Sequence, residues 1–176
     1  MARHRSDYKY FLTYRTRWSD NDQYAHMNNA VYYHLMDSII NTYLEQHCGC
    51  SPNPSNSADS DKTPPAPPIG LVVSSQCTFL SPLSFPQVLV LGLRAKRLGR
   101  SSVTYEVGFF LEDDQQDAEA SAFGGYTHVF VDRKSRKSVR DGISGKLERG
   151  LRAIYAPLQE DDEGTDSKPA KSKSRL

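Results

Sequence analysis

The chain has 176 residues, enough for one domain that buries about two-thirds of its unfolded surface, so no disulfide or metal is needed to hold a core. Lys plus Arg (22) nearly cancels Asp plus Glu (21), which excludes a strongly basic nucleic-acid binder and a surface drawn to anionic membranes. Three cysteines, Cys48, Cys50 and Cys77, make neither a disulfide framework nor a zinc spacing. No apolar run approaches a membrane span, and Met1 to Lys9 contains no apolar targeting core. The expectation is a soluble, intracellular, reduced protein.

In chain order, Tyr8, Tyr10, Leu12, Tyr14, Thr16 and Trp18 alternate with Lys9, Arg15 and Arg17, a period of two that predicts a strand with these aromatic positions on one face. Ser19 to Asp22 breaks it. After Asn28 the period changes to that of a helix. Val31, Leu35, Ile39 and Tyr43 form one apolar series, and Tyr32, Met36, Ile40 and Leu44 form a second. Together they cover more than half the circumference, so this helix must be wrapped rather than laid on a surface. Asn28 is the expected N-cap, and the helix ends near Gly49. The stretch 49–68 is Ser, Pro, Asn and Asp with almost nothing to bury, and reads as a disordered insert.

Four more strands follow. Ile69, Leu71, Val73, Ser75, Cys77 and Phe79 alternate, then Leu89 to Ala95, then Val103 to Leu111, then Phe123 to Val131. In the last, Gly124-Gly125 marks a bulge or a close backbone approach. A short helix closes the domain at Leu147 to Tyr155, and residues 159–176 form a charged tail. The folded domain spans 6–158. Strand, long buried helix, then four strands joined by short links is an α+β order, with an antiparallel sheet of about five strands curled around one helix.

The strand-to-helix junction carries the chemistry. Its spacing, Asp20-x-Asp22-x-x-x-His26-x-Asn28-Asn29-x-x-Tyr32, resembles the signature of the hotdog-fold acyl-CoA thioesterases of the 4-hydroxybenzoyl-CoA thioesterase type. The likeness extends to Arg97-Leu-Gly99-Arg100-Ser101-Ser102 and to Val131-Asp-Arg133-Lys134, and covers roughly Tyr10 to Tyr155. It departs at Ala25, where the family usually has Gly, at Pro82-Leu-Ser-Phe85-Pro86, and in the insert. The resemblance implies a homodimer whose sheets join edge to edge, with tetramers as a further option, and sites at the subunit interface. It makes Asp22 the catalytic carboxylate, as nucleophile or as general base. It places a carbonyl-polarising N–H near Asn29, with His26 and Asn28 positioning the loop. A helix N-terminus supports that role independently, because its N–H groups are unpaired and its dipole end is positive.

Plainer roles exist for each residue. Asp20 and Asp22 are also ordinary turn residues, His26 suits tying a loop as well as proton transfer, and Asp37 suits a solvated helix face. Asp20, Asp22, His26 and His34 lack the spacing of a metal set, and no cofactor is expected. Arg100, Arg133 and Lys134 are either solvated strand-end charges or contacts for the phosphates of coenzyme A. The expected activity is hydrolysis of acyl-CoA thioesters. The alternative is a non-catalytic hotdog domain that binds acyl thioesters or a protein, which would have no use for a carboxylate beside the helix start. Ser174-Arg175-Leu176 is a variant of the Ser-Lys-Leu address read by a peroxisomal import receptor, so the peroxisome is the expected location and the cytoplasm the default.

Overall fold

The computed structural model describes residues 3–50, 67–139 and 142–157. Most of the expected insert (51–66) and the whole tail, including Ser174, Arg175 and Leu176, lie outside the described residues. Strand β1 (Tyr10–Arg15) passes through a 3₁₀ turn at Trp18–Asp20 into helix α1 (Asn29–Cys48). Then come β2 (Ile69–Phe79), β3 (Val88–Leu98), β4 (Ser102–Leu111), β5 (Ala122–Val131) and α2 (Gly145–Ala153). The five strands form one antiparallel sheet in the order β1-β3-β4-β5-β2. Helix α1 therefore connects the two edge strands by crossing the concave face, which is the hotdog arrangement expected from the sequence.

Local chemistry sets the ends of α1. The Asn28 side chain accepts the Ala30 N–H at 2.9 Å, and Gly49 at φ +69° stops the helix in a conformation glycine adopts without strain. Tyr32, Leu35, Met36, Ile39, Ile40, Tyr43 and Leu44 are all buried, in one cluster with Leu89, Leu91 and Leu93 of β3 and Tyr105, Val107 and Phe109 of β4. At about 1.5–3 kcal/mol for each large apolar side chain removed from water, this burial and not helix propensity holds α1 in place. Helix α2 braces its far end. The Tyr43 hydroxyl donates to the Gly150 carbonyl at 2.6 Å, and a Cβ on Gly150 would lie 2.5 Å from Cys48 Sγ. At Gly125, a Cβ would collide with the Tyr105 carbonyl oxygen, so the Gly124-Gly125 pair marks a close backbone approach.

Three sequence expectations are corrected. The alternation puts Tyr8 on the face of Tyr10, but β1 begins two residues later, and Tyr8 lies on the opposite, outer face. There it covers the flat spots left by Gly92 and Gly108 and packs with Val90, Phe110 and Ala120. Trp18 is 79% exposed, because the 3₁₀ turn ends the alternation before it. In β2 the alternation does not run through. A register shift between Val72 and Ser74 inserts one residue, so Ile69 and Leu71 face outward while Cys77 and Phe79 face the helix.

The outer face also holds what the alternation did not reveal. Residues 3–8 cross it as a strap. The Arg5 N–H donates to the Ala118 carbonyl and the Ser6 N–H to the Gln116 carbonyl. Beneath it, Glu106 is 3% exposed and meets Arg94 (2.5 Å), Arg3 (3.3 Å) and Lys96 (3.5 Å). Burial would raise the Glu106 pKa, but Arg94, Lys96 and Arg3 outweigh it and hold the carboxyl below its ordinary value.

Candidate active site

The loop between β1 and α1 is closed on itself. The Asp22 N–H donates to the His26 carbonyl at 2.8 Å, the Asn28 N–H to the Asp20 carbonyl at 2.8 Å, and Met27 anchors to the Leu83 carbonyl at 2.7 Å. The two aspartates have separate roles. Asp20 is buried, and its Oδ2 accepts both the Tyr14 hydroxyl and the Arg17 N–H at 2.7 Å. Burial and that bond push the Tyr14 pKa up. Asp20 is a structural post for the loop.

Asp22 is half-buried at the loop's mouth. Its Oδ1 accepts the N–H groups of Tyr24 (2.7 Å) and His26 (3.2 Å), while Oδ2 takes no hydrogen bond among the described residues. One oxygen is thus fixed and the other is presented. Ala25, between those two donors, sits at φ +62°, the left-handed conformation that favours glycine. The loop keeps that shape with alanine in place of glycine, and the Ala25 Cβ is exposed.

Asn28 acts as the helix cap, its side-chain Oδ1 accepting the Ala30 N–H. Asn29 opens α1, and its N–H has no partner among the described residues, in keeping with an N-terminal position. The exposed side chains of His26 and Asn29 stand over a cavity of about 240 Å³ that also touches Tyr32, Phe79, Leu80 and Pro82. A presented carboxylate oxygen and an unpaired helix N–H on one loop suit attack on a carbonyl whose oxygen becomes negative.

The basic residues lie elsewhere. Arg100 sits in the β3–β4 turn, where its carbonyl accepts the Ile143 N–H at 2.8 Å, and it lines a cavity of about 320 Å³ with Arg152 and Tyr155. Arg133 Nε donates to the Pro67 carbonyl at 2.9 Å. The Lys134 N–H donates to Asp132, whose carboxyl is held below its usual pKa by the Ser135 N–H and hydroxyl. The two turns adjoin through the Ser101–Ser138 hydroxyl pair at 2.9 Å and the Phe130 N–H to the Ser101 carbonyl. Within one chain they are at the opposite end of the sheet from Asp22, about 33 Å away along an eleven-residue strand such as β3. Asp20, Asp22, His26 and His34 do not converge, and among the described residues no group of three or more His, Cys, Asp or Glu could hold a metal. No helix there is long and apolar enough to cross a membrane.

Sequence reasoning missed Phe79, Leu80 and Pro82 as walls of the site. Their only signal was the end of the β2 pattern, which the bulge had put out of phase.

No curated protein matches. The PA5185 protein of Pseudomonas aeruginosa strain PAO1 is 40% identical over 90% of this chain and 100% of that one, with a TM-score of 0.76. The SAV2348 protein of Staphylococcus aureus, solved in complex with CoA, is 15% identical over 85% of each chain (TM-score 0.67). A thioesterase of Thermus thermophilus, complexed with coenzyme A and Zn, is 20% identical over 84% of this chain and 95% of that one (TM-score 0.61). These last two likenesses speak to the fold. The family described as "Thioesterase superfamily" matches residues 24–118, more than half of the sequence, in a span that begins just after Asp22 and includes the start of α1 and the cavity beneath it. With its sheet order, its wrapped helix and that match together, the chain belongs to the thioesterase superfamily.

Proposed function

We propose that this protein hydrolyses acyl-CoA thioesters, with Asp22 as the catalytic carboxylate and the Asn29 N–H as the oxyanion donor. The observation that carries this reading is the pairing on one loop of a free Asp22 Oδ2 with an unpaired N–H at the start of α1. Attack on the thioester carbon moves its π electrons onto oxygen, where the helix N-terminus stabilises the charge; collapse expels the CoA thiolate. Either Oδ2 takes a proton from the attacking water, or it attacks itself and the resulting anhydride is cleaved by water. The CoA-bound relatives support coenzyme A as the carrier.

The working unit in this reading is a homodimer joined through β2. That strand is an eleven-residue sheet edge with no charged residue and no proline, and Leu71, Val72 and Val73 on it are 39–59% exposed. Such an edge invites pairing with another strand. Along β2 the Arg133 turn adjoins the first residue, Ile69, and the Tyr32–Phe79 end adjoins the catalytic loop. Two-fold antiparallel pairing of β2 with its copy sets one protomer's Arg100, Arg133 and Lys134 near the other's Asp22, where they serve the CoA phosphates.

Asp22→Ala should lower kcat at least about 100-fold with an unchanged circular-dichroism spectrum and melting curve. Near-normal turnover in the folded variant removes Asp22 from the mechanism. Single turnover in ¹⁸O-water, with mass analysis of the Asp22 peptide, separates attack by the carboxylate from attack by water. The peroxisomal address rests on Ser174-Arg175-Leu176 alone. An N-terminal fluorescent fusion should be punctate with these residues and diffuse without them, and diffuse signal from both refutes it.

A further inference from the structure

We propose that Tyr14 is a positioning residue for the reaction: through Asp20 it fixes the direction of the Asn29 N–H, the donor that receives the developing oxyanion. The inference rests on the hydrolase reading and says how the fold keeps that donor on target.

The carboxylate and the donor are joined by a small hairpin, residues 20–28, with Asp22 on one arm and Asn29 directly after the other. Its rungs are the Asn28 N–H to the Asp20 carbonyl and the Asp22 N–H to the His26 carbonyl, both 2.8 Å, with Asn21 and Met27 bridged between them. The Asp22 carboxylate closes the tip by accepting the Tyr24 and His26 N–H groups. A ladder this short carries a displacement of one arm into the other, so the seat of Asp20 decides where Asn28 and Asn29 lie.

Asn29 is singled out by its neighbours. The Asn28 N–H is bound to Asp20, the Ala30 N–H to Asn28 Oδ1 at 2.9 Å, and the Val31 N–H to the Asn28 carbonyl at 2.9 Å. Among the described residues, only the Asn29 N–H of this run has no partner. Its peptide is held on both sides while its hydrogen stays available.

Asp20 holds this end because its own side chain is held. It is 8% exposed, and Oδ2 accepts the Tyr14 hydroxyl and the Arg17 N–H, each at 2.7 Å. A hydrogen bond onto a buried carboxylate is among the stronger ones. The Arg17 bond is local and moves with the loop. Tyr14 stands on β1, paired with Leu89 of β3, so its hydroxyl ties the hairpin to the sheet itself. The other anchors, the Met27 N–H to the Leu83 carbonyl and the Phe85 N–H to Asn21 Oδ1, run to the connection between β2 and β3.

The test is Tyr14→Phe, which removes one oxygen and leaves the ring in place. Across a panel of acyl-CoAs from acetyl to palmitoyl, kcat should fall at least about 10-fold, because small misplacements of a reacting group are costly. KM should stay within about 2-fold of native, with an unchanged circular-dichroism spectrum. Asp20→Asn is a second variant: it keeps an oxygen for both bonds and should stay within about 3-fold of native kcat. Asp22→Asn keeps the lock on the hairpin tip but lacks the base, so in that background a bound thioester survives. There the infrared stretch of carbonyl-¹³C hexanoyl-CoA should drop on binding, and adding Tyr14→Phe should return it toward the free value. A raised KM with unchanged kcat, native turnover in folded Tyr14→Phe, or a lowered kcat with the carbonyl stretch unmoved overturns the proposal. If the native chain cleaves no thioester, the hydrolase reading fails separately. Exchange of the Asn28 N–H with deuterium needs no substrate and then decides: Tyr14→Phe should speed it about 10-fold, and an unchanged rate overturns the link from Tyr14 to the helix start.

Discussion

Two carboxylates two residues apart have opposite roles here because of what meets them. Asp20 turns inward to a tyrosine hydroxyl and a backbone N–H, and both bonds use the same oxygen. Asp22 turns outward, with Oδ1 locked by two N–H groups and Oδ2 presented. The price of that lock is Ala25 in the left-handed region at φ +62°, which costs an L-residue about 1–2 kcal/mol. Glycine removes the strain but has more unfolded freedom to lose. Ala25→Gly should therefore stabilise by ~0.5–1 kcal/mol, a rise of about 2 °C in Tm at this chain length. Scanning calorimetry of the two proteins checks it, and a lower Tm would show that the loop does not hold that conformation.

At the scale of elements, the seam between α1 and β5 contains a group that links stability to pH. His128 on β5 is 2% exposed, with Tyr105, Tyr126 and Phe130 around its ring and no partner for Nδ1. Burial lowers its pKa from the ordinary value, and Asp37 on α1 offsets this only in part. The native seam thus prefers neutral imidazole, while the unfolded chain takes up a proton near pH 6.5. The contribution is complete above about pH 6.5 and is lost as pH falls through the lowered native value. Urea midpoints from pH 7.5 to 5 should fall for the native chain and flatten in His128→Asn, which cannot titrate. Parallel curves would exclude His128 as the source.

For the whole molecule, the arrangement of ends matters most. The helix N-terminus and the Arg100–Arg133 turns lie at opposite ends of one sheet, and in the proposed dimer two-fold pairing through β2 would bring a copy of one to a copy of the other. A complementation experiment reads this directly. Arg133→Ala alone should raise KM for acyl-CoA, and Asp22→Ala alone should remove turnover. After mixing and subunit exchange, the hybrid has one site with both residues intact and one with neither, so native KM should reappear in part of the pool. No recovery in a pool shown by mass spectrometry to contain hybrids would place both residues in the same protomer's site.

The sequence alone determined the elements: five strands, the wrapped helix, its Asn28 cap and Gly49 stop, and the loop that holds Asp22, His26, Asn28 and Asn29 together. Those features are set within a few residues, by side-chain period and by hydrogen bonds back to the neighbouring backbone. Tertiary structure decided what depends on distant partners. The bulge at Val73 exists only against β5, and it turns Phe79 toward Tyr32 to form the floor of the cavity. Tyr8 moved to the outer face because Gly92 and Gly108, eighty and more residues away, leave room for its ring. Glu106 is covered by the strap and by three cations from residues 3, 94 and 96, partners that no local pattern in β4 announces. Arg100, Arg133 and Lys134 sit on turns whose distance from Asp22 is set by strand length, which puts them at the far end of the sheet. Periodicity reports which face a residue is on relative to its own strand; what covers that face is settled by chain that arrives from elsewhere.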